Sequence, residues 1–115
     1  MYQLILIIPT SVDLFKFDKG WPLFLDAVED MPGLISESFT RIDRHIYGQS
    51  TISRIYSFCF KDQETLDNSL LSTPGEKAGK IIHDLSEGQV ILLTGELRED
   101  SIHNIRSHRP PQPKK

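Results

Sequence analysis

The sequence predicts an α+β protein of the ferredoxin-like class, a four-stranded antiparallel sheet in βαββαβ order. Three observations lead there. Two β-rich apolar runs, YQLILII from Tyr2 and QVILLTGE from Gln89, stand near the two ends of residues 1–97. Two further segments with alternating polarity flank the turn Tyr47-Gly48-Gln49-Ser50. Stretches with helical spacing separate these strands. Helices of this number cover one sheet face only, and the first and last strands are apolar on both faces. The uncovered face would be sticky in a monomer, so a two-fold homodimer is expected.

Tyr2 to Ile8 carries consecutive apolar residues and reads as a strand buried on both faces, closed by Pro9. It lacks the basic start and small-residue cleavage pattern of a signal peptide. A helix follows, expected to open near Asp18 to Pro22, with Trp21, Phe24, Leu25, Val28 and Met31 on one face and Pro32-Gly33 as its stop. Leu34 to Ile46 is the second strand, placing Glu37, Phe39, Arg41, Asp43 and His45 on one side. Thr51 to Phe60 is the third, paired with the second as a hairpin. Lys61 to Ser72 reads as a short helix capped by Asp62, and Gln89 to Glu96 is the fourth strand.

Thr73 to Ile81, TPGEKAGKI, looks at first like a phosphate-binding loop. A Walker-type loop needs four residues between its first glycine and the Gly-Lys pair, then Ser or Thr, and a preceding strand. Gly75 and Gly79 have three residues between them, Ile81 stands at the hydroxyl position, and a helix precedes. Thr73, Pro74 and Glu76 instead fit a capping box with proline at the first helical position. Lys80 then pairs with Glu76 one turn earlier, and Ala78, Ile81, Ile82 and Leu85 form the buried stripe of a helix ending at Glu87-Gly88.

The 115 residues suit one compact unit, residues 1–97, followed by a polar, proline-rich, basic tail, residues 98–115. The tail holds five basic and two acidic residues, whereas the body holds eight basic and fourteen acidic ones. An acidic body argues against nucleic acid as partner. No apolar run reaches the ~20 residues that span a bilayer. The single cysteine, Cys59, leaves no intramolecular disulfide or multi-cysteine metal site, and a reducing cytoplasm fits it. Pro110-Pro111-Gln112-Pro113 matches a polyproline II ligand in form, but a disordered or partner-draped extension is the preferred reading.

The order and spacing of several segments resemble the EthD family of dimeric α+β barrel proteins over about residues 1–97. These are Met31-Pro32-Gly33-Leu34, Thr40-Arg41-Ile42, the aromatic third strand running into Lys61-Asp62-Gln63-Glu64-Thr65-Leu66, the run Ser72 to Lys80, and Leu92-Leu93-Thr94-Gly95-Glu96. The resemblance implies a ferredoxin-like protomer whose sheet packs on that of a second subunit, with a cleft between sheet and helices. Related barrels include small isomerases, cyclases and monooxygenases acting on aromatic compounds, so cofactor-free chemistry of a degradative or isomerase type is one implied use. A non-enzymatic binding or interaction dimer is the other, because the chain departs from the family pattern. Trp21 matches an aromatic position in the first helix, but the family's histidine falls on or near Phe24, and no histidine lies between Met1 and Arg44. Ser57 likewise stands where other members often carry an acid.

The candidate ligand contacts are Trp21, Phe24, Arg41, Ile55, Ser57 and Cys59. Trp21 and Phe24 would wall a flat apolar ligand or else serve as ordinary core. Arg41 would hold an anion or pair with Asp43 or Glu37, the pair being preferred. Ile55, Ser57 and Cys59 share one face of the third strand, with Arg54, Tyr56, Phe58 and Phe60 on the other. The resemblance implies that the bulky face packs under the helices and that the face of Ser57 looks into the barrel. Cys59, between two phenylalanines, reads better as a small buried residue than as a nucleophile. The four histidines, His45, His83, His103 and His108, have no metal-ligand spacing, and neither a metal nor a cofactor is assigned.

Overall fold

The computed structural model describes residues 1–49 and 51–108. The chain runs β1 (Tyr2–Pro9), α1 (Leu14–Glu29), β2 (Leu34–Arg41), β3 (Ile52–Phe60), α2 (Gln63–Leu71), α3 (Thr73–Leu85), β4 (Ile91–Glu96) and α4 (Ile102–His108). The strands form one antiparallel sheet in the order β2-β3-β1-β4. That is the expected ferredoxin-like α+β arrangement.

Alternation along β1 explains how the sheet divides the molecule. Leu4, Leu6 and Ile8 are buried and meet Phe17, Phe24, Val28, Phe58, Leu66 and Ile82 in the core beneath the helices. Their neighbours Gln3, Ile5 and Ile7 are only half-buried. Ile5 pairs with Ser57 on one side and Leu93 on the other, and Ile7 with Ile55 and Ile91. Cross-strand partners share a face. Ile5, Ile7, Ile55, Ile91 and Leu93 therefore make an apolar patch on the sheet face opposite α1, α2 and α3.

The first helix starts earlier than the sequence suggests. Asp13 caps it, accepting the N–H groups of Phe15 at 3.0 Å and Lys16 at 3.4 Å, and Pro22 lies inside it. An internal proline deprives the carbonyl four residues before it of a partner. The extra turn persists because Phe17 is wholly buried and its ring stacks on Trp21 at 5.3 Å.

Strand β2 ends at Arg41, not Ile46, so Asp43 and His45 lie in the connecting loop, where Ile46 and Tyr47 are exposed. Alternation persists past Arg41 in the sequence, but after the Arg41–Arg54 pair the register with β3 ends. Within the loop, the His45 Nε2 atom accepts the backbone N–H of Ile52 at 3.0 Å.

At the α2–α3 junction Ser72, not Thr73, is the cap. Its hydroxyl accepts the Gly75 N–H at 3.2 Å and donates to the Ser69 carbonyl, while Glu76 N–H bonds the Ser72 carbonyl at 2.9 Å. Thr73 is thus the first helical residue and Pro74 the second, which still spares an N–H that has no partner. Glu76 and Lys80 are both exposed and form no ion pair within 4 Å. At the far end, the buried Ser86 hydroxyl donates to the Ile82 carbonyl at 2.8 Å and accepts the Val90 N–H at 3.2 Å, tying α3 to the approach of β4. The tail differs from a structureless extension, for Ile102–His108 is helical, with the Ser101 hydroxyl accepting the Asn104 N–H at 3.0 Å. The polyproline segment 110–113 lies outside the described residues. Among those residues no helix is long and apolar enough to cross a membrane.

Candidate functional site

A cleft of about 490 Å³ opens between α1 and the β2–β3 edge of the sheet. It exists because α1 lies over the centre of the sheet while β2 extends past it: every residue of β2 after Leu34 is exposed. Trp21 and Leu25 from α1 form one wall, and Glu37, Phe39, Arg41, Arg54, Tyr56 and Phe58 form the floor. Nearer the middle of the sheet, beside Leu4, Phe24 and Leu92, the space between helices and sheet is about 50 Å³.

The floor is an aromatic ladder. Phe39 lies nearly parallel to Tyr56, with ring centres 4.8 Å apart and planes inclined by 10°. Tyr56 stacks in turn on Trp21 at 4.1 Å, and Trp21 contacts Phe17 and Phe24. The outermost ring, Phe39, is 54% exposed. A large aromatic side chain left open beside other aromatics offers a flat apolar surface to a ligand.

Asp18, Arg54 and the Tyr56 hydroxyl gather at one end. Arg54 Nη1 and Nη2 both reach the Asp18 carboxylate, Nη2 at 3.2 Å, and Nη1 lies 3.4 Å from the Tyr56 hydroxyl. The hydrogen bond from Arg54 holds the Asp18 carboxyl below the usual carboxylate range, and the same bond raises Arg54. Burial pushes the Tyr56 phenol above its ordinary value, so it stays protonated at neutral pH. Since its oxygen already accepts from Arg54, its own proton is free to donate. Glu37, Phe39 and Arg41 succeed one another on the same face of β2, opposite Phe58, Tyr56 and Arg54.

The six residues singled out from the sequence do not converge. Trp21 and Arg41 line the cleft. Phe24 is 2% exposed and lies in the core behind Trp21. Ile55, Ser57 and Cys59 sit on the opposite face of the sheet, paired with Ile7, Ile5 and Gln3, where the Gln3 amide lies 3.8 Å from Cys59 Sγ. The pairing preferred for Arg41 is absent: it makes no ion pair with Glu37 or Asp43. Four residues along an extended strand separate Glu37 from Arg41 by ~13 Å, and Asp43 lies beyond the strand end. Sequence reading missed Glu37, Phe39, Arg54 and Tyr56 as site residues. Their shared sides were legible by alternation, but not that α1 would leave the β2 edge open.

No protein-family model matches the chain, and comparison with curated proteins found no match. Comparison with solved structures did. An ethyl tert-butyl ether D (EthD) family protein from Bacillus halodurans superposes with a TM-score of 0.76 at 23% identity, over 85% of this chain and 99% of that one. The chain has the EthD-like fold. A dimeric ferredoxin-like protein of unknown function from Jannaschia sp. is similar at TM-score 0.60 and 13% identity, over 84% of this chain and 97% of that one. SnoaB, a cofactor-independent oxygenase from Streptomyces nogalater, reaches 0.62 at 8% identity, over 88% and 95% of the two chains. At such identities the likeness establishes the fold alone, and an EthD-like fold does not bring its chemistry with it.

Among the described residues, the ionisable groups lining the cleft are Glu37, Arg41, Arg54 and Tyr56. Arginine is a donor only and the Tyr56 phenol stays protonated, so the acceptor-only side chain among these lining groups is Glu37. Among the described residues no histidine lines the cleft. Among the described residues no group of three His, Cys, Asp or Glu side chains is placed to hold a metal.

Proposed function

We propose that this chain is a homodimeric binding protein of the α+β barrel type, each protomer holding a small, largely aromatic compound in the cleft between α1 and the β2–β3 edge. One observation carries the reading: the stacked ladder of Phe39, Tyr56 and Trp21 ends in an uncovered ring inside a cleft large enough for a small ligand. The absence of a histidine from the lining favours retention over turnover. A cofactor-free reaction in this cleft would have to rest on Glu37 as base and Tyr56 as donor. SnoaB supports that alternative only as an instance of the fold hosting an oxygenase.

Dimerisation is supported by the sheet face opposite α1, α2 and α3 with its five apolar side chains, and by the Jannaschia protein, which is dimeric. The lone thiol, buried and unpaired, agrees with a reducing cytoplasm as the compartment.

The test is native mass spectrometry of the purified protein against a panel of one- to three-ring aromatic compounds, repeated with Trp21→Ala. Retention by the native protein and its loss in the variant is the expected result. Equal retention by both would remove the cleft from consideration.

A further inference from the structure

Arg41 and Arg54 face each other across β2 and β3 on the cleft side of the sheet. Like charges directly opposed across a strand pair are destabilising unless something neutralises them. For Arg54 that partner is Asp18, which takes both terminal nitrogens, and the guanidinium is further fixed by Tyr56 and by its position 5.9 Å from the centre of the Phe17 ring. Only 17% of the Arg54 side chain is exposed. Arg41 has no such partner: it makes no ion pair within 4 Å among the described residues, and it stands exposed beside the open ring of Phe39. An unneutralised guanidinium next to an uncovered aromatic, in a body with fourteen acidic and eight basic residues, is an arrangement that an anion with a ring attached would complete.

We propose that the ligand of this cleft is an aromatic carboxylate, its ring stacked on Phe39 and its carboxylate held by Arg41. The assignment rests on the aromatic-binding reading above and adds the charge and the orientation. A guanidinium fork matches a carboxylate with two parallel N–H donors, and since Arg54 is already taken up by Asp18 that role falls to Arg41. Glu37 sets the direction. It lies on the same face of β2 at the other end of the ladder, ~13 Å along the strand, and repels a carboxylate from that end while accepting a hydroxyl or amine proton there. Trp21 and Leu25 close the side facing α1.

The experiment compares 2-naphthoate with its neutral isostere 2-naphthamide by isothermal titration, on the native protein, Arg41→Gln and Arg41→Lys. Arg41 is exposed at a sheet edge, so the fold should survive, and unchanged far-UV circular dichroism checks it. For an exposed guanidinium, a charge-assisted pair predicts that the native protein prefers the acid over the amide by about two- to five-fold. Arg41→Gln should abolish the preference, and Arg41→Lys should keep part of it. Equal binding of acid and amide, or a preference that survives in Arg41→Gln, overturns the assignment and leaves the aromatic cleft standing. Failure of both compounds to bind the folded native protein overturns the aromatic cleft and this assignment together.

Discussion

The two glycines of TPGEKAGKI should respond in opposite ways to the same substitution. Both lie within α3, where alanine is ordinarily preferred to glycine by about 1 kcal/mol because it restricts the unfolded chain. At Gly79 a methyl group meets nothing within 4 Å, so Gly79→Ala should raise stability by roughly 0.5–1 kcal/mol. At Gly75 a Cβ would overlap the Ser69 carbonyl oxygen and come within 2.7 Å of the Leu70 carbonyl oxygen. Those atoms are backbone at the end of α2, held by the Ser72 cap, and cannot swing aside as a side chain would. Overpacking of this kind costs about 1–3 kcal/mol. Set against the helix gain, Gly75→Ala should lose up to about 2 kcal/mol. In a chain of this size 1 kcal/mol moves Tm by about 3–6 °C, so the variants should melt on opposite sides of the native protein in a circular-dichroism scan, with urea midpoints shifting likewise. If Gly75→Ala stabilises as Gly79→Ala does, the close approach of α2 and α3 at this junction is wrong. A phosphate-binding role for the segment makes a different prediction, that nucleotide raises Tm, and none should.

Further measurements bear on the cap, the ion pair and the sheet face. Ser72→Ala should cost about 1 kcal/mol, and Thr73→Ala, outside the cap, only a few tenths, in urea titrations; the reverse order would restore the cap to Thr73. Asp18→Asn should cost no more than about 1 kcal/mol at pH 7, because the Asp18 side chain is 54% exposed. Its carboxyl is held below the usual range, so the contribution is present above the unfolded value near ~3.9 and fades as pH falls through the lower folded value; a difference that persisted undiminished in acid would show another origin. Leu93→Glu should shift sedimentation from dimer to monomer while leaving the far-UV spectrum intact, since Leu93 is 46% exposed on the face opposite α1, α2 and α3. A native protein that sediments as a monomer at micromolar concentration would remove the dimer. Cys59, 7% exposed beside Gln3, should react with a thiol reagent far more slowly than after unfolding.

The order of strands and helices, the two faces of β3, the Asp62 cap and the helical nature of TPGEKAGKI all follow from local properties of the chain. Alternation, capping chemistry and helical spacing act over a few residues, so they survive in the sequence as legible patterns. The ferredoxin-like class comes from their order. Where neighbours in space compete with neighbours in sequence, the tertiary structure decides. The first turn of α1 forms ahead of Pro22 because Phe17 is buried, and β2 stops at Arg41 because its pairing with β3 ends there. The cleft belongs to the same category. Alternation places Glu37, Phe39 and Arg41 on one side of a strand, but only the seating of α1 over β3 and β1 leaves that side open. Only the register of β2 against β3 sets Arg41 opposite Arg54, the latter neutralised by a carboxylate thirty-six positions away in the chain.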